Sequence, residues 1–401
     1  MRSFLKQLVL VWSLALSVAC GSSVTPASPT AATPLATPTP SPSPLATRAL
    51  AVNDVSILFP LGKGELWAAS TPARNSEALF PRGAFDLIRL QVIRELQGGD
   101  ATYAGLRVVS LRVDPCFGGS PCYPQIRLVL QALSPDGARA LDGAIHALYN
   151  LPADEFAILT SRLKATATLA PENASVTRLE VSPALVAQGM TGAYGLALRD
   201  VVVQTIGASN LAKVTFMTRT QGGGDRWDFG GFNTRDFQPS GAFPLAGIDG
   251  NVLVQTVREN GQRNGGGAPP GGAAYAYTVT PSILRGELNL VLTSTAAQNA
   301  TSTERQRAMD ALARVENPSL ESPDTVDCSA CHVANRIRGN LQAAYGLTSA
   351  LSYTSPAETT RLVGGAERDS ENLRAFGYFD ANPAISQRTA NETLKVLAAL
   401  K

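Results

Sequence analysis

Histidine, methionine and cysteine are all scarce: the 401 residues hold two His, four Met and five Cys. Any metal or acid–base site built from these residues can therefore draw on very few donors. The acidic residues are scattered, and neither a paired-carboxylate motif nor a Gly-x-Ser-x-Gly elbow occurs, so no catalytic residue is assigned. The Gly-rich runs at 222–224 and 264–272 lack the strand, glycine pattern and helix of a phosphate cradle, which leaves no case for a nucleotide. An excess of one charge is also missing. The formal net charge is +2, and without residues 1–19, which carry Arg2 and Lys6 and no acid, 32 basic residues face 32 acidic ones. Such a chain has no electrostatic attraction to nucleic acid or to an anionic membrane surface. Beyond the first nineteen residues, no apolar run reaches the length that spans a bilayer.

The N-terminus carries an address. Arg2 and Lys6 precede an apolar run from Leu8 to Val18, followed by Ala19, Cys20 and a polar tail. A short basic region and an apolar stretch too short to span predict an export signal. The segment Ser17-Val18-Ala19-Cys20 resembles the lipobox of bacterial lipoproteins, with Ser17 where that family usually carries an aliphatic residue. The resemblance implies removal of residues 1–19 and acylation of Cys20. Several acyl chains make such an anchor durable where one would be marginal. Gly21 in place of Asp implies the outer membrane of the cell envelope. Residues 20–47, almost all Ser, Thr, Pro, Ala and Gly, cannot bury apolar surface and read as a stalk, reaching roughly 80 Å at about 3 Å per residue.

From residue 48 to 300 the texture is that of an α+β domain with a mainly antiparallel sheet. Alternating residues predict strands at 106–113 and 126–130, and shorter runs predict others at 214–218, 227–232, 252–257, 275–280 and 288–292. Helices are expected at about 84–97, 152–165 and 184–206. Trp227, Phe229 and Phe232 read as core. Cys116 and Cys122 bracket a turn-rich loop, and in an oxidising compartment a disulfide there would staple a hairpin.

Residues 301–401 turn helical. Thr301 and Glu304 predict a capping box, and a stripe of Ile337, Leu341 and Tyr345 ends at Gly346. Asn382 and Pro383 predict the start of a last helix. Within this region lies Cys328-Ser329-Ala330-Cys331-His332. Two thiols three positions apart can add to the two vinyl groups of a haem, with the adjacent imidazole reaching the iron. The pentapeptide resembles the attachment site of c-type cytochromes, which are matured outside the cytoplasm. The resemblance covers those five residues and implies one covalent haem c, thioethers from Cys328 and Cys331, and His332 as proximal ligand. Residues 333–401 contain no His or Met, so a sixth ligand would come from His146, Met309, Met217 or Met190, or the position would stay open to a small molecule. Arg336 and Arg338 could meet the propionates.

Other readings of the motif are a Cys328–Cys331 disulfide and a zinc site needing a remote fourth ligand. His146, set among apolar neighbours, reads first as a core histidine. Two functions follow: a lipid-anchored monohaem protein that moves electrons to a redox partner or senses a small ligand, and a cofactor-free surface lipoprotein stapled by the Cys328–Cys331 disulfide.

Overall fold

The computed structural model describes residues 48–62, 65–92, 103–117, 123–141, 143–170, 178–220, 225–235, 238–239, 253–259, 275–280, 286–321, 325–354 and 373–400. The export signal, Cys20, the stalk and Cys122 lie outside these residues. Cys116 is disulfide-bonded.

The fold is α+β around one large antiparallel sheet. Its strands β1 (Ser56–Leu58), β2 (Leu106–Asp114), β3 (Gln125–Ala132), β4 (Gly143–Asn150), β5 (Leu211–Thr220), β6 (Asp225–Arg235), β8 (Leu253–Glu259) and β9 (Tyr277–Thr280) lie side by side in chain order, with β7 (Gln238–Pro239) paired off β6. A meander of this kind needs no crossover, so the pairing partner of each strand is its neighbour in sequence.

Helices cover both faces. On one face, Tyr149 of β4 donates its hydroxyl to the Leu79 carbonyl, just ahead of α2 (Arg82–Val92), which packs on β5. The short α1 (Val52–Val55) precedes β1, and α3 (Ala153–Ala167), α4 (Pro183–Gln188) and α5 (Ala193–Thr205) fill the connection from β4 to β5. The single helix expected over 184–206 is thus two. Gly189 ends the first with φ +73°, a backbone conformation that side chains other than glycine rarely adopt.

The opposite face carries the C-terminal region. After α6 (Gly286–Asn289) and α7 (Ser294–Asn299) come α8 (Ser302–Glu316), α9 (Cys328–Tyr345), the hairpin β10 (Phe376–Phe379) and β11 (Asn382–Ile385), and α10 (Gln387–Leu400). The strand expected at 288–292 is a helical turn instead, its Glu287 in the first turn. The capping box forms: Thr301 accepts from the Glu304 amide at 3.2 Å and Glu304 accepts from the Thr301 amide at 2.8 Å. Gly346 ends α9 in the left-handed conformation, as its position predicts. Asn382 and Pro383, expected to open the last helix, lie in β11; a proline is tolerated in a two-stranded hairpin, and Ser386 takes the capping role by accepting from the Thr389 amide at 3.2 Å.

Residues 45–401 form one compact unit. The change of texture at residue 300 separates a sheet-rich from a helix-rich stretch, and both feed one core. Among the described residues, no helix is long and apolar enough to cross a membrane.

Candidate functional site

The Cys-x-x-Cys-His segment is the first turn of α9. Asp327 caps it, its carboxylate accepting from the Ala330 amide at 2.7 Å and from the Ser329 hydroxyl at 2.8 Å. The same turn is tied to the sheet, since the Ser329 amide donates to Gln255 of β8 at 3.0 Å. Residues at i, i+3 and i+4 share a helix face, so Cys328, Cys331 and His332 all turn toward one cavity of about 150 Å³ between the helix and the sheet.

The other wall is the sheet. Period-two alternation brings Arg127 and Val129 of β3, His146 and Leu148 of β4, and Lys213 and Thr215 of β5 to the cavity, with His146 paired in register between Val129 and Thr215. His146 faces His332 across the space: their ring centroids are 6.5 Å apart and the planes differ by 19°. Phe229 of β6 packs against His332 with centroids 4.8 Å apart, so the aromatic run expected as core is buried and also forms a flank of the site.

Both imidazoles are neutral at physiological pH. Burial lowers His146 to about 3, helped by His332 and nearby arginines, and burial lowers His332 to about 4. The Nδ1–H of His332 donates to the Leu373 carbonyl. A carbonyl can only accept, so the proton is on Nδ1 and the Nε2 lone pair is left for a ligand bond.

Cys328 and Cys331 are free thiols. Their partial exposure is toward the cavity they line. Burial pushes Cys328 up to about 12 and Cys331 up to about 11. Reactive redox cysteines have lowered values, so thiol–disulfide chemistry finds no support here. Among the described residues, no three His, Cys, Asp or Glu side chains converge as a bare metal ion requires.

One end of the cavity is cationic. Glu392 of α10 accepts from Arg112 at 2.7 Å, lies 2.8 Å from Arg388 and 3.6 Å from Arg127, and Arg127 also pairs with Asp114. Burial alone would raise the Glu392 carboxyl; Arg388, Arg112 and Arg127 outweigh it and hold it well below the ordinary carboxylate range. With the Asp114 that pairs with Arg127 included, Arg112, Arg127, Lys213 and Arg388 face Asp114, Asp327 and Glu392, so one positive charge is in surplus at this end. Arg336 and Arg338, expected to meet an anionic ligand, do not line the cavity; Arg338 instead pairs with Glu316 at 2.5 Å. Of the four candidates for a sixth ligand, only His146 reaches the site. Met190, Met217 and Met309 are buried and do not line the cavity, although Met217 shares the sheet face of Lys213 and Thr215 and pairs in register with Phe229.

No protein-family model, no curated protein and no solved structure matches the chain.

The arrangement suits a flat group with two reactive carbons near the thiols, a metal at its centre and a dianionic edge. Cys328 and Cys331 would hold its rim, His332 its metal, and Arg112, Arg127, Lys213 or Arg388 its carboxylates. Haem has that chemistry.

Proposed function

We propose that the protein is an exported, lipid-anchored carrier of one covalent haem c that passes single electrons at the cell envelope. The observation that supports this most is the convergence of Cys328, Cys331 and His332, whose Nδ1 is committed to the Leu373 carbonyl, on one cavity with arginines at one end. Attachment would add each thiol S–H across one vinyl group: a C–S bond forms, the hydrogen goes to the other vinyl carbon, and nothing is oxidised or reduced. The bound group would supply one-electron chemistry, its potential set by axial ligand, burial and neighbouring charge. The chain's own residues would fix its position, exclude water through Phe229, Val129 and Phe376, and neutralise its carboxylates. A redox protein would be the partner.

The test is expression of the full chain, with its signal, in a host competent for cytochrome c maturation. A Soret band that survives denaturation and a mass increased by one haem are expected, with loss of covalent haem on changing Cys328→Ala or Cys331→Ala. A colourless product of unmodified mass overturns the proposal and leaves the cofactor-free lipoprotein. Cys20→Ala is expected to move the protein from the membrane fraction to the soluble fraction; an unchanged distribution would refute anchoring at that residue.

A further inference from the structure

We infer that His146 is the second axial ligand, so that the iron held at His332 is closed on both sides by imidazoles, one from a helix and one from the central strand of the sheet. The inference rests on the proposed haem attachment and concerns a residue outside the attachment motif.

Distance carries the argument. An imidazole nitrogen sits about 2 Å from the metal it binds, so two rings opposed through one ion have centres about 6 Å apart. The rings of His146 and His332 are 6.5 Å apart, close to that spacing and well outside the face-to-face contact of roughly 3.5–4 Å between carbon atoms. Their planes differ by 19°. Both rings line the cavity into which the two thiols also turn.

Chemistry agrees with geometry. Among the described residues the His146 ring makes no hydrogen bond, which leaves its nitrogens open toward the cavity it lines. His146 is also rigidly placed, since β4 is bonded on both sides, through Val129 of β3 and Thr215 of β5. A ligand on such a strand needs little reorganisation when the iron changes oxidation state.

The experiment uses the matured full-length protein and reads the iron, not an activity. The wild type is expected to be low-spin in both oxidation states, to show near-infrared magnetic circular dichroism typical of two imidazoles, and to bind carbon monoxide poorly when reduced. His146→Ala is expected to keep its covalent haem, to shift to high spin, to gain carbon monoxide binding, and to recover the low-spin spectrum when imidazole is added. A wild type with covalent haem but without the two-imidazole signature overturns the inference and leaves the attachment proposal standing. A wild type without covalent haem removes both. Because the wild-type spectrum decides, failure of His146→Ala to fold would not block the test. His146→Met, which keeps a ligand of similar reach, is expected to stay low-spin with a raised potential; an unchanged potential would count against ligation by residue 146.

Discussion

A single buried carboxylate controls much of the cavity's electrostatics. Glu392 lies among Arg112, Arg127 and Arg388, and all four side chains are largely shielded from water. Removing one partner of such a group leaves uncompensated buried charge, so Glu392→Ala is expected to lower stability by about 3–5 kcal/mol in urea unfolding of the protein. Its pH dependence has a definite sign. The folded carboxyl ionises more easily than the unfolded one, so its contribution is present above about pH 4.3 and is lost as the pH falls below that value. Urea midpoints measured from pH 6 to pH 3 are expected to fall less steeply in Glu392→Gln than in the wild type; equal slopes would mean that another group drives acid unfolding. The thiols behave in the opposite sense. With burial raising Cys328 to about 12 and Cys331 to about 11, little thiolate exists near neutrality. Alkylation of the unloaded protein by iodoacetamide at pH 8 is expected to be at least about tenfold slower than after unfolding. His146 was the residue least legible beforehand: its apolar neighbours argue for core, and Ile145, Ala147 and Tyr149 are indeed core on the opposite face of β4, while His146 itself points the other way.

At the scale of elements, α9 does two jobs, docking on the sheet and presenting three donors from one face. Asp327 is central to both because it satisfies the first turn's amide and the Ser329 hydroxyl. Asp327→Ala is expected to lower the unfolding midpoint, costing about 1–2 kcal/mol for the lost cap, without abolishing haem attachment. The hairpin β10–β11 makes a second close contact. A β-carbon on Gly377 would meet Gln131 Oε1 at 2.8 Å, and that oxygen accepts from the Tyr378 amide at 2.8 Å. Gly377→Ala is therefore expected to destabilise by about 1–3 kcal/mol, the cost of disturbing a buried hydrogen bond, checked by thermal unfolding. The strands with period-two alternation, β2 and β3, could be read directly from sequence, and so could the capping box of α8 and the glycine stop of α9. β4 could not: Ala144 to Tyr149 is nearly continuous in its apolar character because both of its faces are covered, so alternation gives no signal. The clue available was the short β-prone run bounded by Gly143 and by Asn150-Leu-Pro. The hairpin was missed for a different reason, since Pro383 reads as a helix start unless its neighbour Phe376–Phe379 is known to pair with it.

Across the whole molecule, the two ends of the described chain are joined. Ser56 of β1 and Thr393 of α10 share a buried hydrogen bond of 2.6 Å, and Tyr378 of β10 donates to the Phe59 carbonyl at 2.6 Å. With one core running through both the sheet and the C-terminal helices, a separately expressed fragment 301–401 is expected to lack stable structure by circular dichroism. The chain from residue 48 onward is expected to unfold in one transition seen alike by far-ultraviolet circular dichroism and tryptophan fluorescence. Two separate transitions would show that the C-terminal region is independent after all. By itself the sequence determined the Cys-x-x-Cys-His spacing, the α+β class and most of the strands, because each is written in local spacing or period. Only the tertiary structure decided that His146 opposes His332, that Arg112, Arg127 and Arg388 rather than Arg336 and Arg338 line the cavity, and that none of the three candidate methionines lines it. Those relations depend on the pairing register of β2 to β5 and on which face of the sheet α9 covers. Such long-range facts follow from the packing of the whole core and leave no mark in the spacing of neighbouring residues.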